Sequence, residues 1–287
     1  MIVITAATGK LGHHVVDALL AKVPASQITV AVRNPDKAKD FAEKGITVRL
    51  GDYSKPDTLR AAFRGADKLL LISSSEVGQR ERQPKAAIAA AVAEKVPFLA
   101  YTSILHADTS RMALALEHLA TERAIQASGI SYAFLRNGWY LENYSENLGA
   151  ALAHGVLLGS AQSGKIAAAT RKDFAEAAAT VLTSEGHANK IYELAGDVPF
   201  TMSELAKVVA DAAGNPVAYQ DLSVSDYTKA LVGFGVPPAF AEVLADSDAG
   251  IARGELDDRS GDLKKLIGHA TTPLRGVIET AVRAAKG

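Results

Sequence analysis

Residues 2–5, Ile-Val-Ile-Thr, are a short apolar, β-branched run of the kind that fills a buried strand. Gly9 and Gly12 follow where such a strand should turn into a helix. Leu11, Val15, Val16, Leu19 and Leu20 then recur at helical spacing, and Pro24 lies beyond the end of that helix. The rhythm repeats: apolar runs predict strands over 28–32, 46–50, 69–72, 98–102 and 132–135. The amphipathic or Ala-rich stretches between them predict helices over 35–43, 57–63, 79–95 and 111–128. Strict alternation of strand and helix implies an α/β fold, a Rossmann-like doubly wound parallel sheet covered on both faces, with ligands at the carboxyl ends of the strands.

Beyond residue 137 the rhythm changes. A helix is expected over 140–153, then a stretch punctuated by Gly155, Gly159 and Gly164, a helix over 172–182 and a strand over 191–194. Thr201 is an N-cap candidate with Glu204 three residues on, the spacing of a capping box. This divides the chain into a dinucleotide-binding Rossmann domain, 1–137, and a smaller α/β substrate-binding lobe, 138–287, interleaved with it, since no boundary linker separates them.

Composition narrows the function. A net charge of −1 over 287 residues carries no basic surface for phosphate neutralisation, so nucleic acid is not an expected partner. The absence of cysteine excludes disulfides, thiol catalysis and cysteine-ligated metals, and no metal site is expected. No run of about 18 apolar residues occurs. The expectation is a cytoplasmic protein without membrane insertion, with self-association into a homo-oligomer left open.

The turn at Ala6, Ala7, Thr8, Gly9, Lys10, Leu11 and Gly12 has the outline of a phosphate-binding loop, in which glycines let the backbone approach a pyrophosphate and bring helix close to strand. Its first motif position is Ala6 rather than glycine, tolerable at negative φ and costly at positive φ. An acidic residue at the end of the second strand would bind a ribose hydroxyl, whereas an arginine accommodates a 2′-phosphate. The chain has Arg33 there, with Asn34 beside it and Lys37 nearby, which favours NADP(H) over NAD(H). Gly51-Asp52-Tyr53, Ser73-Ser74-Ser75 and Arg136-Asn137-Gly138 end successive strands and are expected to face one crevice. Trp139, Tyr140 and Tyr144 cluster after the last of them, either as core or as a surface for a flat acceptor. His118 and Glu122 share a helix face at i, i+4 and read as structural; His106 reads as an exposed loop histidine. No tyrosine has a lysine four positions on, so the Tyr-x-x-x-Lys proton relay of alcohol-oxidising short-chain dehydrogenases is missing.

Together Thr5-Ala6-Ala7-Thr8-Gly9-Lys10-Leu11-Gly12, Val32-Arg33-Asn34, Gly51-Asp52-Tyr53, the run from Leu71 to Arg80, and Leu135-Arg136-Asn137-Gly138-Trp139-Tyr140 resemble the NmrA-like branch of atypical short-chain dehydrogenases. Within that branch the chain is most similar to the type 2 NAD(P)H:quinone oxidoreductases. The likeness continues through Tyr192-Glu193-Leu194-Ala195-Gly196 to Lys265-Leu266-Ile267-Gly268-His269. The resemblance implies NADPH-dependent reduction of a small-molecule quinone. It places cofactor contacts on Ala6 to Leu11, Arg33, Ser73, Ser74, Ser75, Asn137, Gly138, Trp139, Tyr140, Leu141, Glu142 and Arg171, and names no catalytic side chain. Related members include reductases of bulky aromatic dyes and catalytically silent NADP-binding redox sensors, which remain the alternatives.

Overall fold

The computed structural model describes residues 1–73 and 82–286. Strands β1 (Ile2–Thr5), β2 (Ile28–Val32), β3 (Thr47–Leu50), β4 (Lys68–Leu71), β5 (Phe98–Ile104) and β6 (Ser131–Asn137) appear in the order the apolar runs require. Between them lie α1 (Lys10–Leu20), α2 (Lys39–Glu43), α3 (Pro56–Phe63), α4 (Arg82–Ala93) and α5 (Ala113–Ala127). The rest holds α6 (Glu142–Ser145), α7 (Gly149–His154), β7 (Val156–Gly159), α8 (Arg171–Thr183), β8 (Lys190–Leu194), α9 (Met202–Ala213) and β9 (Ala218–Asp221). It ends with α10 (Val224–Gly233), α11 (Pro238–Ala252), α12 (Asp262–Ile267) and α13 (Leu274–Lys286). No helix among the described residues is long and apolar enough to cross a membrane.

Seven strands form a parallel sheet in the order β3-β2-β1-β4-β5-β6-β8. Successive side chains of a strand point to opposite faces, and the core follows that alternation. Ile2 and Ile4 join Val15, Leu19, Phe41 and Phe174 on the face covered by α1, α2 and α8. Val3 joins Leu59, Phe63, Ala87 and Phe134 on the face covered by α3, α4 and α5. Chain order runs outward from β1 through β2 to β3, then from β4 outward the other way. The order therefore reverses between β1 and β4, and the connecting loops diverge there to leave a crevice.

Residues beyond 138 divide their work. β8 extends the main sheet and α8 and α12 pack on it. A separate core built on Leu148, Ile166, Phe200, Leu205, Val209, Ile251 and Ile278 lies under α7, α9, α11 and α13.

Three local expectations change. The helix expected over 140–153 splits into α6 and α7, and Gly155, at φ 69°, stops α7 in the left-handed conformation that glycine adopts without strain. The glycine-rich stretch after it contains β7, paired in parallel with β9. The helix expected over 35–43 begins as a 3₁₀ turn at Pro35–Ala38, because the Asn34 side chain accepts the Asp36 N–H and sets a tighter start. The N-terminal part of the helix expected over 79–95 lies outside the described residues.

Candidate active site

The crevice between β1 and β4 is a cavity of about 630 Å³ whose walls come from four strand ends. β1 delivers Ala6 and Thr8 through Gly12; β2 delivers Ala31 and Arg33; β3 delivers Gly51 through Ser54; β4 delivers Ile72 and Ser73. Gln83, Tyr140 and Arg171 complete it.

The floor is the start of α1. Its N-cap, Gly9, makes no side-chain cap and the first turn holds no acidic residue, so the positive end of the helix dipole and its first N–H groups face the cavity. Gly12 is where the helix crosses the strand end. A Cβ there would lie 2.6 Å from the Ala6 carbonyl oxygen and from Ala7 Cα, closer than packed carbons allow. Ala6 sits at φ 50°, the left-handed region that favours glycine, and its carbonyl accepts the Gly9 N–H at 3.0 Å. The alanine therefore occupies the glycine conformation instead of altering the turn, at the cost of local strain.

The side walls are tied by short bonds. Thr5 Oγ1 donates to the Leu70 carbonyl at 3.1 Å and accepts the Ile72 N–H at 3.0 Å, locking the two strand ends that flank the crevice. Thr102 Oγ1 accepts the Ser73 N–H at 2.9 Å, which fixes Ser73 on the rim. The Tyr53 hydroxyl donates to the Ile72 carbonyl at 3.1 Å, and burial pushes its pKa up, so it remains a neutral donor. Asp52 accepts the Ser54 N–H at 2.9 Å.

The roof comes from beyond β6. The Arg171 guanidinium lies 5.1 Å from the centre of the Tyr140 ring, and its Nη1 donates to Glu146 Oε1 at 2.7 Å. Glu146 Oε2 accepts a hydrogen bond from Lys10. Burial would raise the Glu146 carboxyl, but the hydrogen bond from Lys10 and the charge of Arg171 outweigh it and hold it below the ordinary carboxylate range. Glu142 takes the Arg171 backbone N–H with both oxygens, at 2.9 and 3.1 Å.

Of the residues singled out from sequence, Ala6, Thr8, Gly9, Lys10, Leu11, Gly12, Arg33, Ser73, Tyr140 and Arg171 line this one cavity. Ala7 and Leu141 are buried, Glu142 binds the start of α8, and Gly138 packs against the Leu194 carbonyl. Trp139 turns away into the core of the later segment. Asn137 is buried at the end of β6, and its Oδ1 has no hydrogen-bond partner among the described residues. Ser74 and Ser75 lie outside the described residues.

Arg136 does not face the crevice, contrary to expectation. The pleat turns it to the α5 side, where its guanidinium grips Glu122 at 3.0 and 2.8 Å, Asp108 at 2.9 Å and Glu193 at 2.7 Å. Glu122 is thus structural, as is His118, whose Nδ1 lies 2.8 Å from the Tyr101 hydroxyl. His106 is half-buried rather than exposed, with its Nε2 3.2 Å from Asp258. Tyr144 belongs to the core, with its hydroxyl buried, and packs edge-on to Phe200. Sequence reasoning missed Ala31, Ser54, Ile72, Gln83 and Glu146. Ile72 and Ser54 adjoin strand ends already singled out, whereas Gln83 and Glu146 carry no local signal and come to the site through the fold alone.

The groups present fit a phosphorylated dinucleotide: a bare helix N-terminus, a strand-to-helix crossing that only glycine permits, three cations on the walls and a buried amide oxygen, that of Asn137, without a hydrogen-bond partner among the described residues. Among the described residues no group of three His, Cys, Asp or Glu side chains could hold a metal ion.

Comparison with known proteins agrees. A family model described as NAD(P)H-binding matches residues 6–185. Quinone oxidoreductase 2 of Escherichia coli is 54% identical over 274 residues, covering 96% of each chain. The crystal structure of NADPH-dependent quinone oxidoreductase QOR2 from Escherichia coli, complexed with NADPH, superposes with a TM-score of 0.95 over 100% of both chains at 52% identity. That of the triphenylmethane reductase of Citrobacter sp., complexed with NADP(H), superposes with a TM-score of 0.94 at 42% identity, over 98% of this chain and 100% of the other. The fold and the recognition made from sequence are borne out, and the chain belongs to the NAD(P)H-binding family.

Proposed function

We propose that the protein is an NADPH-dependent quinone oxidoreductase. The observation that carries this reading is the convergence of the uncapped α1 N-terminus with Lys10, Arg33 and Arg171 on one crevice, in a chain 54% identical to Escherichia coli quinone oxidoreductase 2. The backbone N–H groups from Thr8 to Gly12 hold the pyrophosphate, as a helix N-terminus does for anions. Arg33 takes the 2′-phosphate through paired N–H donors, which a lysine could not present in the same plane. Ser73, fixed by Thr102, and Asn137, with its free amide oxygen, serve the ribose and carboxamide end. Ala7, Leu141 and Glu142 shape the site without lining it, and Gly138 lets the chain pass close to the Leu194 carbonyl.

When bound, NADPH supplies the hydride. The residues of the chain bind, orient and exclude water, with Tyr140 and the 138–287 lobe closing the acceptor side. A quinone is a strong hydride acceptor that, after the hydride, needs only one proton to become the hydroquinone, which accords with the missing Tyr-x-x-x-Lys pair. A second reading, reduction of bulky aromatic dyes, is favoured by the 42% identity to the Citrobacter enzyme.

The test is oxidation of NADPH and of NADH by the purified protein with benzoquinones, naphthoquinones and a triphenylmethane dye. Quinone-dependent turnover that prefers NADPH is expected. Turnover with the dye alone moves the reading to the second class. Cofactor binding without oxidation by any acceptor replaces both with a redox sensor.

A further inference from the structure

Lys10 and Arg171 are the first residues of α1 and α8, so each adds a full charge to the positive end of a helix, and both line the cavity. One carboxylate engages them together. Glu146 Oε1 accepts from Arg171 at 2.7 Å and Oε2 from Lys10, one oxygen to each cation. From these contacts we infer that Glu146 is an internal anion that competes with the phosphates of the dinucleotide for Lys10 and Arg171, and thereby keeps cofactor exchange fast. The inference rests on the NADPH reading of the site.

The alternative, a salt bridge that merely holds α6 against α1 and α8, is disfavoured by how the partners are otherwise fixed. Arg171 is anchored by its own helix, stacked on Tyr140 at 5.1 Å, with its Nη2 3.5 Å from Asn143 Oδ1. It keeps its place without Glu146. Lys10 is 68% exposed and gains little order from one surface contact. Glu146, at the C-cap of α6, is 38% exposed, so its loss opens no cavity. What the carboxylate does change is charge. With it the two cations carry a net +1, and without it +2. Its charged form is secured by the cations themselves, whose effect exceeds the opposing pull of burial. A phosphate that draws on Lys10 or Arg171 must displace this carboxylate from it.

The experiment is a titration of NADPH and of NADP⁺ into the wild type, Glu146→Gln and Glu146→Ala, with the dissociation rate followed by stopped flow. Release of both cations to the phosphates is expected to lower Kd about five- to tenfold, chiefly through slower release, and to steepen its dependence on salt. The gain from Glu146→Gln should shrink in a Lys10→Met background, which removes one of the contested cations. An unchanged or raised Kd in both variants overturns the inference, as does a full gain in the Lys10→Met background. A wild type that binds no NADPH overturns the reading of the site and this inference with it; binding with an unshifted Kd overturns the inference alone.

Discussion

Two helices begin beside the same cavity, and their first turns are built in opposite ways. α8 opens with Thr170, whose hydroxyl accepts the Asp173 N–H at 3.1 Å while the Asp173 carboxylate accepts the Thr170 N–H at 3.2 Å, a complete capping box. Glu142 covers the next N–H, that of Arg171. α1 opens with Gly9, which offers no side-chain cap, and has no acid in its first turn. A helix start satisfied by its own side chains is structural. The start of α1 is as bare as those of α7 and α11, but unlike them it lines the cavity, so its N–H groups are open to an anion from outside. Sequence shows the difference as Thr-x-x-Asp against Gly-x-x-Gly, and the fold turns both toward one crevice.

The contrast can be broken at either end. The largest effect is expected from Gly12→Ala, where the new methyl meets backbone at 2.6 Å and must push α1 off the sheet. A loss of about 3 kcal/mol or more in urea unfolding, together with loss of NADPH binding, is expected; unaltered stability would mean that α1 can move off the strand end at little cost. Gly9→Asp gives α1 the internal anion that α8 already has. Gly9 has extended backbone at φ −80°, ψ 165°, which suits an N-cap, with its would-be Cβ 3.2 Å from the Ala6 oxygen. Calorimetric NADPH affinity should fall about a hundredfold or more while unfolding stability shifts by less than about 1 kcal/mol.

Arg33→Ala sharpens the assignment of the phosphates. KM for NADPH is expected to rise about thirtyfold through loss of charge-assisted hydrogen bonds, with KM for NADH nearly unchanged. An equal rise for both cofactors would remove the 2′-phosphate from Arg33. At the other helix, Thr170→Ala should cost about 1 kcal/mol in unfolding yet leave NADPH affinity within about twofold, since that cap serves structure alone. The smallest effect belongs to Ala6→Gly. Relief of left-handed strain outweighs the added freedom of the unfolded chain by about 0.5 kcal/mol, and a slight rise in Tm is expected.

The Rossmann core was legible because buried parallel strands are apolar on both faces. Ile-Val-Ile-Thr and Ile-Thr-Val-Ala-Val read as strands without knowledge of their neighbours. The site was legible where residues adjoin strand ends, as with Arg33 after β2 and Ser73 after β4. It was not legible where adjacent residues on a strand part company: Asn137 is buried on one face of the sheet and Arg136 turns to the other, into the ion cluster with Glu122, a choice made by the pleat and by pairing with β5. Nor could β7 be read, since its partner β9 lies far along the chain and neither has an apolar run long enough to stand alone.

The sequence by itself determined the alternation of strands and helices, the glycine crossing at the start of α1 and the arginine after β2, because each depends on local periodicity or on the conformations one residue allows. Only the tertiary structure decided that Ala6 takes the left-handed geometry of the missing glycine, and that Arg171 and Lys10 meet on one carboxylate, that of Glu146. Those facts depend on contacts between residues 25 and 136 positions apart or on the strain a packed turn imposes, and neither leaves a periodic trace in the chain.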